Sequence, residues 1–147
     1  MKSFEKILFA TDFSENSGHA FAYAFSLAKQ YSAKFIILHV INEPVDLRGF
    51  YVPHVSFDNL EKEIEEGAEK IMQKFCAENI KDFTKYESKI VTGTPYEEIL
   101  KIAAAEKVSL IVLGTQGRSG IDHFLFGSTA EQVVRKALCP VMTVRLP

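Results

Sequence analysis

Three short stretches of this chain are apolar almost without interruption: Lys6-Ile7-Leu8-Phe9-Ala10-Thr11, Phe35-Ile36-Ile37-Leu38-His39-Val40-Ile41 and Val108-Ser109-Leu110-Ile111-Val112-Leu113. They lack the alternation of a strand with one wet face, so as strands they must be buried on both sides. Strands of that kind belong to parallel sheets with helices packed on each face. Amphipathic stretches separate them. Ser14 can cap a helix whose apolar positions are Phe21, Ala24, Ala28 and Tyr31. Asn42-Glu43-Pro44 ends the second run, because proline lacks the donor that a central strand needs.

Residues 44 to 57 hold two prolines and a glycine among aromatics and form a long loop, either a lid or interface element or a plain surface excursion. Leu60, Ile64, Ala68, Ile71 and Phe75 then mark one face of a charged helix. Tyr86 to Thr92 alternates as a half-buried strand. Thr94-Pro95-Tyr96-Glu97 combines an N-cap, a proline at the first helical position and a glutamate at the third. Ile99, Leu100, Ile102 and Ala103 supply that helix's core face. Ala130, Val133, Val134, Ala137 and Leu138 mark a last helix, and Pro140 to Arg145 a closing strand whose leading proline suits a sheet edge. The order β-α-β-loop-α-β-α-β-α-β predicts an α/β, doubly wound fold with a parallel sheet.

With 147 residues, the chain is expected to be a single domain, residues 1–147. A net charge of −2 and no basic run argue against a nucleic-acid partner. No stretch approaches the roughly 18 apolar residues of a membrane span. The N-terminus runs into the first strand with no signal-peptide core, and Cys76 and Cys139 stand apart with no metal or redox spacing. The expectation is a cytoplasmic protein with reduced, mostly buried thiols.

In an open α/β sheet a ligand sits beyond the carboxyl ends of the strands, where strand order reverses. Two carboxyl-end loops are chemically rich: Thr11-Asp12-Phe13-Ser14, and the stretch from Gly114 onward. Half of the chain's eight glycines, Gly114, Gly117, Gly120 and Gly127, fall in the latter. Neither GxxxxGK[ST] nor GxGxxG matches them. Glycines still allow successive N–H groups to turn towards an anion, and a helix starting near Gly127-Ser128-Thr129 would add free N–H groups, a favourable dipole and hydroxyls. Arg118 could approach a phosphate. Against this, Ser128-Thr129-Ala130-Glu131 is itself a capping box, which needs no ligand. Both readings stay open on the residues alone.

Other polar groups carry less. Glu61, Glu63, Glu65 and Glu66 form a solvated face near a helix N-terminus, not a metal site. His39 lies inside a buried strand and reads as a satisfied core histidine. His19 and His54 lack a nucleophile in triad order. Asp122 and His123 fit an exposed turn, and Phe21, Phe25 and Phe35 read as core. No catalytic residue is assigned.

The spacing Gly114-x2-Gly117-x9-Gly127-Ser128 resembles the G-2x-G-9x-G-[S/T] motif of the universal stress protein family, in its ATP-binding subset. Ile7 to Ser14 is similar to that family's first strand and loop, and Cys139 to Arg145 to its last strand, so the likeness spans nearly the whole chain. The resemblance implies a five-stranded parallel sheet of order 3-2-1-4-5 with helices on both faces. It implies that Ala10, Thr11 and Asp12 face adenosine and that Val40 reads the adenine edge. Gly114, Thr115, Gln116, Gly117, Arg118, Ser119, Gly120, Gly127, Ser128 and Thr129 would hold ribose and phosphates. ATP is the implied ligand, with Mg²⁺, or Mn²⁺ in its place, screening phosphate charge through few protein ligands. The family also implies a homodimer through the edge strand 141–145 and an unidentified protein partner. Three functions follow: a nucleotide-dependent regulatory switch, which is favoured; a slow ATPase; and a nucleotide-free interaction module. Enzymatic activity beyond weak ATP hydrolysis is not expected.

Overall fold

The computed structural model describes residues 3–42, 57–116 and 127–147. Five parallel strands, β1 (Lys6–Ala10), β2 (Lys34–Asn42), β3 (Tyr86–Gly93), β4 (Leu110–Gly114) and β5 (Val141–Val144), form one sheet in the order β3-β2-β1-β4-β5. Among the described residues the helices are α1 (Glu15–Tyr31), α2 (Phe57–Asn79), α3 (Pro95–Ala105) and α4 (Ser128–Lys136). β1 is the pivot, its Ile7 aligned with Phe35 of β2 on one side and Leu110 of β4 on the other.

The pleat sends successive side chains to opposite faces, and the core divides accordingly. Ile7, Phe9, Phe35, Ile37, Leu110 and Val112 face α1 and α2, where Phe21, Ala24 and Ala28 meet Met72 and Cys76. Leu8, Ala10, Ile36, Leu38, Ile111 and Leu113 face α3 and α4, meeting Ile99, Ala103, Ala130 and Val133. The α/β doubly wound fold, its five-stranded parallel sheet and its strand order are therefore as expected. The phenylalanines on the first face pack ring to ring, Phe9 edge-on to Phe21 at 5.6 Å and Phe21 stacked on Phe25 at 5.4 Å.

Several boundaries and faces differ from the sequence expectation. Ile71 is 52% exposed, and Met72 and Cys76 are buried in its place. Of the row expected, Ala68 is buried, Leu60 and Ile64 are half-buried and Phe75 packs on the core, so Ile71 alone falls off the face, which Met72 and Cys76 complete. Tyr31 is exposed and lies edge-on against Phe4, rather than in the core. Leu138 is 99% exposed because α4 stops at Lys136 and leaves it in the connection to β5, while Val134, within α4, is itself about half exposed. β4 begins at Leu110, since Val108 and Ser109 bond back to Ala103 and Lys6 as the chain leaves α3. Of the expected loop 44 to 57, residue 57 opens α2, and the rest lies outside the described residues.

The amino end of the sheet carries an ion-pair ladder. Lys34 meets Glu87 at 3.0 Å, and Lys89 meets Glu106 at 3.1 Å, with Lys6 at 3.9 Å from Glu106. The bond from Lys89 holds the Glu106 carboxyl below the usual glutamate range, and Glu87 raises Lys34 above the usual lysine value.

Candidate functional site

The carboxyl ends of β1 and β4 diverge around a cleft of about 420 Å³. Its floor is apolar: Leu38, Val40, Ile99, Leu113 and Ala130. One wall is Ala10, Thr11 and Asp12, and the other is Gly114, Thr115 and Gln116 with Gly127, Ser128 and Thr129. Every described residue of the set named from the sequence lines this one cleft. Gly117, Arg118, Ser119 and Gly120, like Asp122 and His123, lie outside the described residues.

Local chemistry shapes the first wall. Thr11 continues β1 by donating its N–H to the Leu38 carbonyl at 2.8 Å. Its hydroxyl accepts from the Phe13 N–H at 2.9 Å and meets the Ser17 hydroxyl at 2.8 Å. Asp12 Oδ1 accepts from the Ser14 N–H at 2.9 Å, an Asx turn. Ser14 then caps α1, accepting from the Ser17 N–H at 3.2 Å, as its residue type and position predict. Reversal within so few residues places Phe13 at φ 63°, in the left-handed region. The Thr11 carbonyl accepts from His39 Nδ1 at 2.8 Å; a carbonyl only accepts, so that ring nitrogen carries the hydrogen. His39 is 5% exposed and bonded, a satisfied core histidine as expected.

The second wall turns on one close approach. A Cβ at Gly114 would overlap the side-chain amide of Asn16, with Cγ 2.9 Å away and the Asn16 backbone carbon 3.3 Å away. Asn16 is 6% exposed, and its Oδ1 accepts from the Gln116 N–H at 3.0 Å. The first glycine of the motif is therefore required by the seating of α1 on β4. Beyond it, Thr115 donates to Val144 of β5 and its carbonyl accepts from the Gly127 N–H, which ties the two ends of the intervening segment together.

That tie decides how α4 starts. Gly127, not Ser128, is the N-cap, extended at ψ 166°, and no side chain caps the helix. The Ser128–Glu131 capping box expected from the sequence is not formed: Ser128 is already helical, and Glu131 lies 3.6 Å from Arg135 instead. Ser128 and Thr129 thus line the cleft from the first turn of α4, where orphan N–H groups and the positive dipole end favour an anion. Thr94 likewise precedes α3 without a side-chain cap bond, and Pro95 at the helix start lines the cleft.

Sequence reasoning missed Asn16, Ser17, Asn42 and Pro95 around this cleft. Asn16 had a signal: it begins the i, i+4 row Asn16-Ala20-Ala24-Ala28, and a lone amide on an apolar row implies a specific partner. Asp12 is the one carboxylate among the described lining residues. No group of three potential metal-ligating side chains occurs among the described residues. No helix among them is long and apolar enough to cross a membrane.

Comparison with known proteins places this architecture. Residues 3–145 match the model of the universal stress protein family. Universal stress protein YxiE of Bacillus subtilis (strain 168) is 35% identical over 147 residues, covering 97% of this chain and 99% of its own. Universal stress protein MJ0577 of Methanocaldococcus jannaschii is 32% identical over 154 residues, covering 97% and 95%. The solved structure of MJ0577 superposes with a TM-score of 0.86 over 99% of each chain. A universal stress protein solved in complex with cAMP, 24% identical, shares the fold at a TM-score of 0.61 over 97% of this chain and 98% of that one. The chain belongs to the universal stress protein family.

Proposed function

We propose that this protein is an ATP-binding regulatory protein, folded as one domain over residues 1–147, whose interactions change with nucleotide occupancy. The observation that carries the reading is the convergence of Ala10 to Asp12, Val40, Gly114 to Gln116 and Gly127 to Thr129 on one cleft with an uncapped helix N-terminus in its wall. The donor set suits a nucleotide: an apolar floor for a base, a carboxylate at Asp12 for ribose hydroxyls, and hydroxyls with helix N–H groups for phosphate. The cAMP complex of a relative supports a nucleotide ligand in this fold. Gly117, Arg118, Ser119 and Gly120 would complete the phosphate side. With a single carboxylate among the described lining residues, and that one facing the ribose, Mg²⁺ or Mn²⁺ would be held chiefly by phosphate oxygens and water. The exposed edge of β5, residues 141–145, is the proposed contact with a second copy, and the cytoplasm the proposed compartment.

Mass spectrometry of nucleotide released from the purified protein, followed by calorimetric titration with ATP and Mg²⁺, tests the reading. Ser128→Ala/Thr129→Val is expected to weaken ATP about tenfold to a hundredfold, the loss of one or two hydrogen bonds to a charged group. Wild-type protein that neither carries nor binds a nucleotide would overturn the proposal. Phosphate release above background by the wild type would move the protein to the slow ATPase.

A further inference from the structure

His39 contributes to a wall of the cleft that it does not line. It projects from β2 towards the α1/α2 side of the sheet, together with Phe35 and Ile37, whereas the cleft is built from the opposite series Ala10, Leu38, Val40 and Ile99. Its Nδ1–H donates at 2.8 Å to the carbonyl of Thr11, and its ring lies 4.5 Å from that of Phe13, tilted by 36°. Phe13 is the residue at φ 63°, and its ring also meets Phe75 at 6.2 Å. A bulky side chain incurs a steric cost in that conformation, which contacts around it must offset. His39 holds the turn at two points, one polar and one aromatic.

The polar point has a directional consequence. In a trans peptide the carbonyl and the following N–H point in opposite directions. Fixing the Thr11 carbonyl towards His39, on the helical side of α1 and α2, turns the Asp12 N–H the other way, to the side on which the cleft lies. We propose that His39 is a positioning residue for nucleotide binding, orienting the Thr11–Asp12 peptide so that the Asp12 amide and carboxylate meet the ligand. This rests on the nucleotide reading of the cleft. Ser17, through its 2.8 Å contact with the Thr11 hydroxyl, holds the same turn from α1.

The test compares wild type with His39→Leu and His39→Asn, measuring ATP affinity by calorimetry, melting temperature without nucleotide, and the Asp12 amide resonance. The Asn amide nitrogen can occupy the place of Nδ1 and restore the donor; Leu cannot. His39→Leu is expected to weaken ATP about tenfold or more and to shift the Asp12 amide, while His39→Asn stays within about threefold of wild type. A merely structural histidine would lower the melting temperature in both variants and leave the affinity of the folded protein unchanged, which overturns the proposal. Equal weakening by Leu and Asn overturns it too. Should His39→Leu not fold, His39→Gln, whose amide reaches past the carbonyl to the Nε2 position, is expected to bind more weakly than His39→Asn, and equality refutes the role. Absence of ATP binding by wild type itself overturns the nucleotide reading and the role with it, whereas wild-type binding that His39→Leu leaves intact overturns only the role of His39.

Discussion

Replacing Gly114 by alanine separates two explanations of the first motif glycine. If the position is empty so that a phosphate can approach, Gly114→Ala should fold normally and lose nucleotide. The structure says otherwise, because the added Cβ meets the Asn16 amide, with the Asn16 backbone carbon at 3.3 Å behind it. Asn16 can turn aside only by breaking its 3.0 Å bond to the Gln116 N–H in a buried setting, which costs about 1–3 kcal/mol. Residual crowding of α1 adds about 1 kcal/mol, the low end for an overpacked methyl. The expected total is about 2–4 kcal/mol, a fall in melting temperature of roughly 4–16 °C for a domain of this size. Calorimetric melting of nucleotide-free protein measures it. Asn16→Ala in the same chain removes the obstacle, so the double variant should be clearly more stable than the sum of the two single losses. A melting temperature for Gly114→Ala within a degree or so of wild type, or strict additivity in the double variant, would refute the packing argument.

Two further outcomes follow from the ladder and from α2. Glu106, held below the usual glutamate range, contributes stability above the ordinary carboxylate pKa and loses it as pH falls through its depressed one; melting curves should therefore separate wild type from Glu106→Gln near neutrality and converge in acid. Met72→Ala should cost about 2–5 kcal/mol in denaturant unfolding, while its half-exposed neighbour in Ile71→Ala costs well under half of that, and equal losses would contradict the observed face of α2.

Those contrasts show where the sequence was legible. Runs apolar on both sides identified the buried strands, and Ser14 announced the start of α1 because capping depends on residues three apart in the chain. In α2 the adjacent Ile71 and Met72 offer two apolar rows a single step apart, and only packing against β2 and β3 chooses between them. Ser128 and Gly127 could each have opened α4; the bond from Gly127 to Thr115 decided it, and that is a contact between loop ends which periodicity does not register. The Gly114 and Gly127 side of the cleft was legible through its glycine spacing, Thr11 and Asp12 through their place at a strand's carboxyl end, and Ala10 and Val40 only through the family resemblance. Their supports act across elements distant in sequence: Asn16 beneath Gly114 was marked only by its place on an otherwise apolar row of α1, and His39 behind Thr11 by no spacing at all.

The central place of β1 also bears on how the cleft comes into being. β1, β2 and β3, with α1 and α2, form a contiguous stretch of chain that can assemble from neighbours in sequence, leaving one side of β1 open. β4 must then find that open side from far along the chain, Leu110 settling beside Ile7, a closure whose entropy is lost before its contacts form. The cleft lies on this seam, so an occupant bridges the half of the sheet built from sequence neighbours and the half that closes onto it from far along the chain. Contacts made only after the halves meet act on the rate of coming apart. A bound nucleotide would therefore extend the lifetime of the folded protein while leaving its rate of formation almost unchanged.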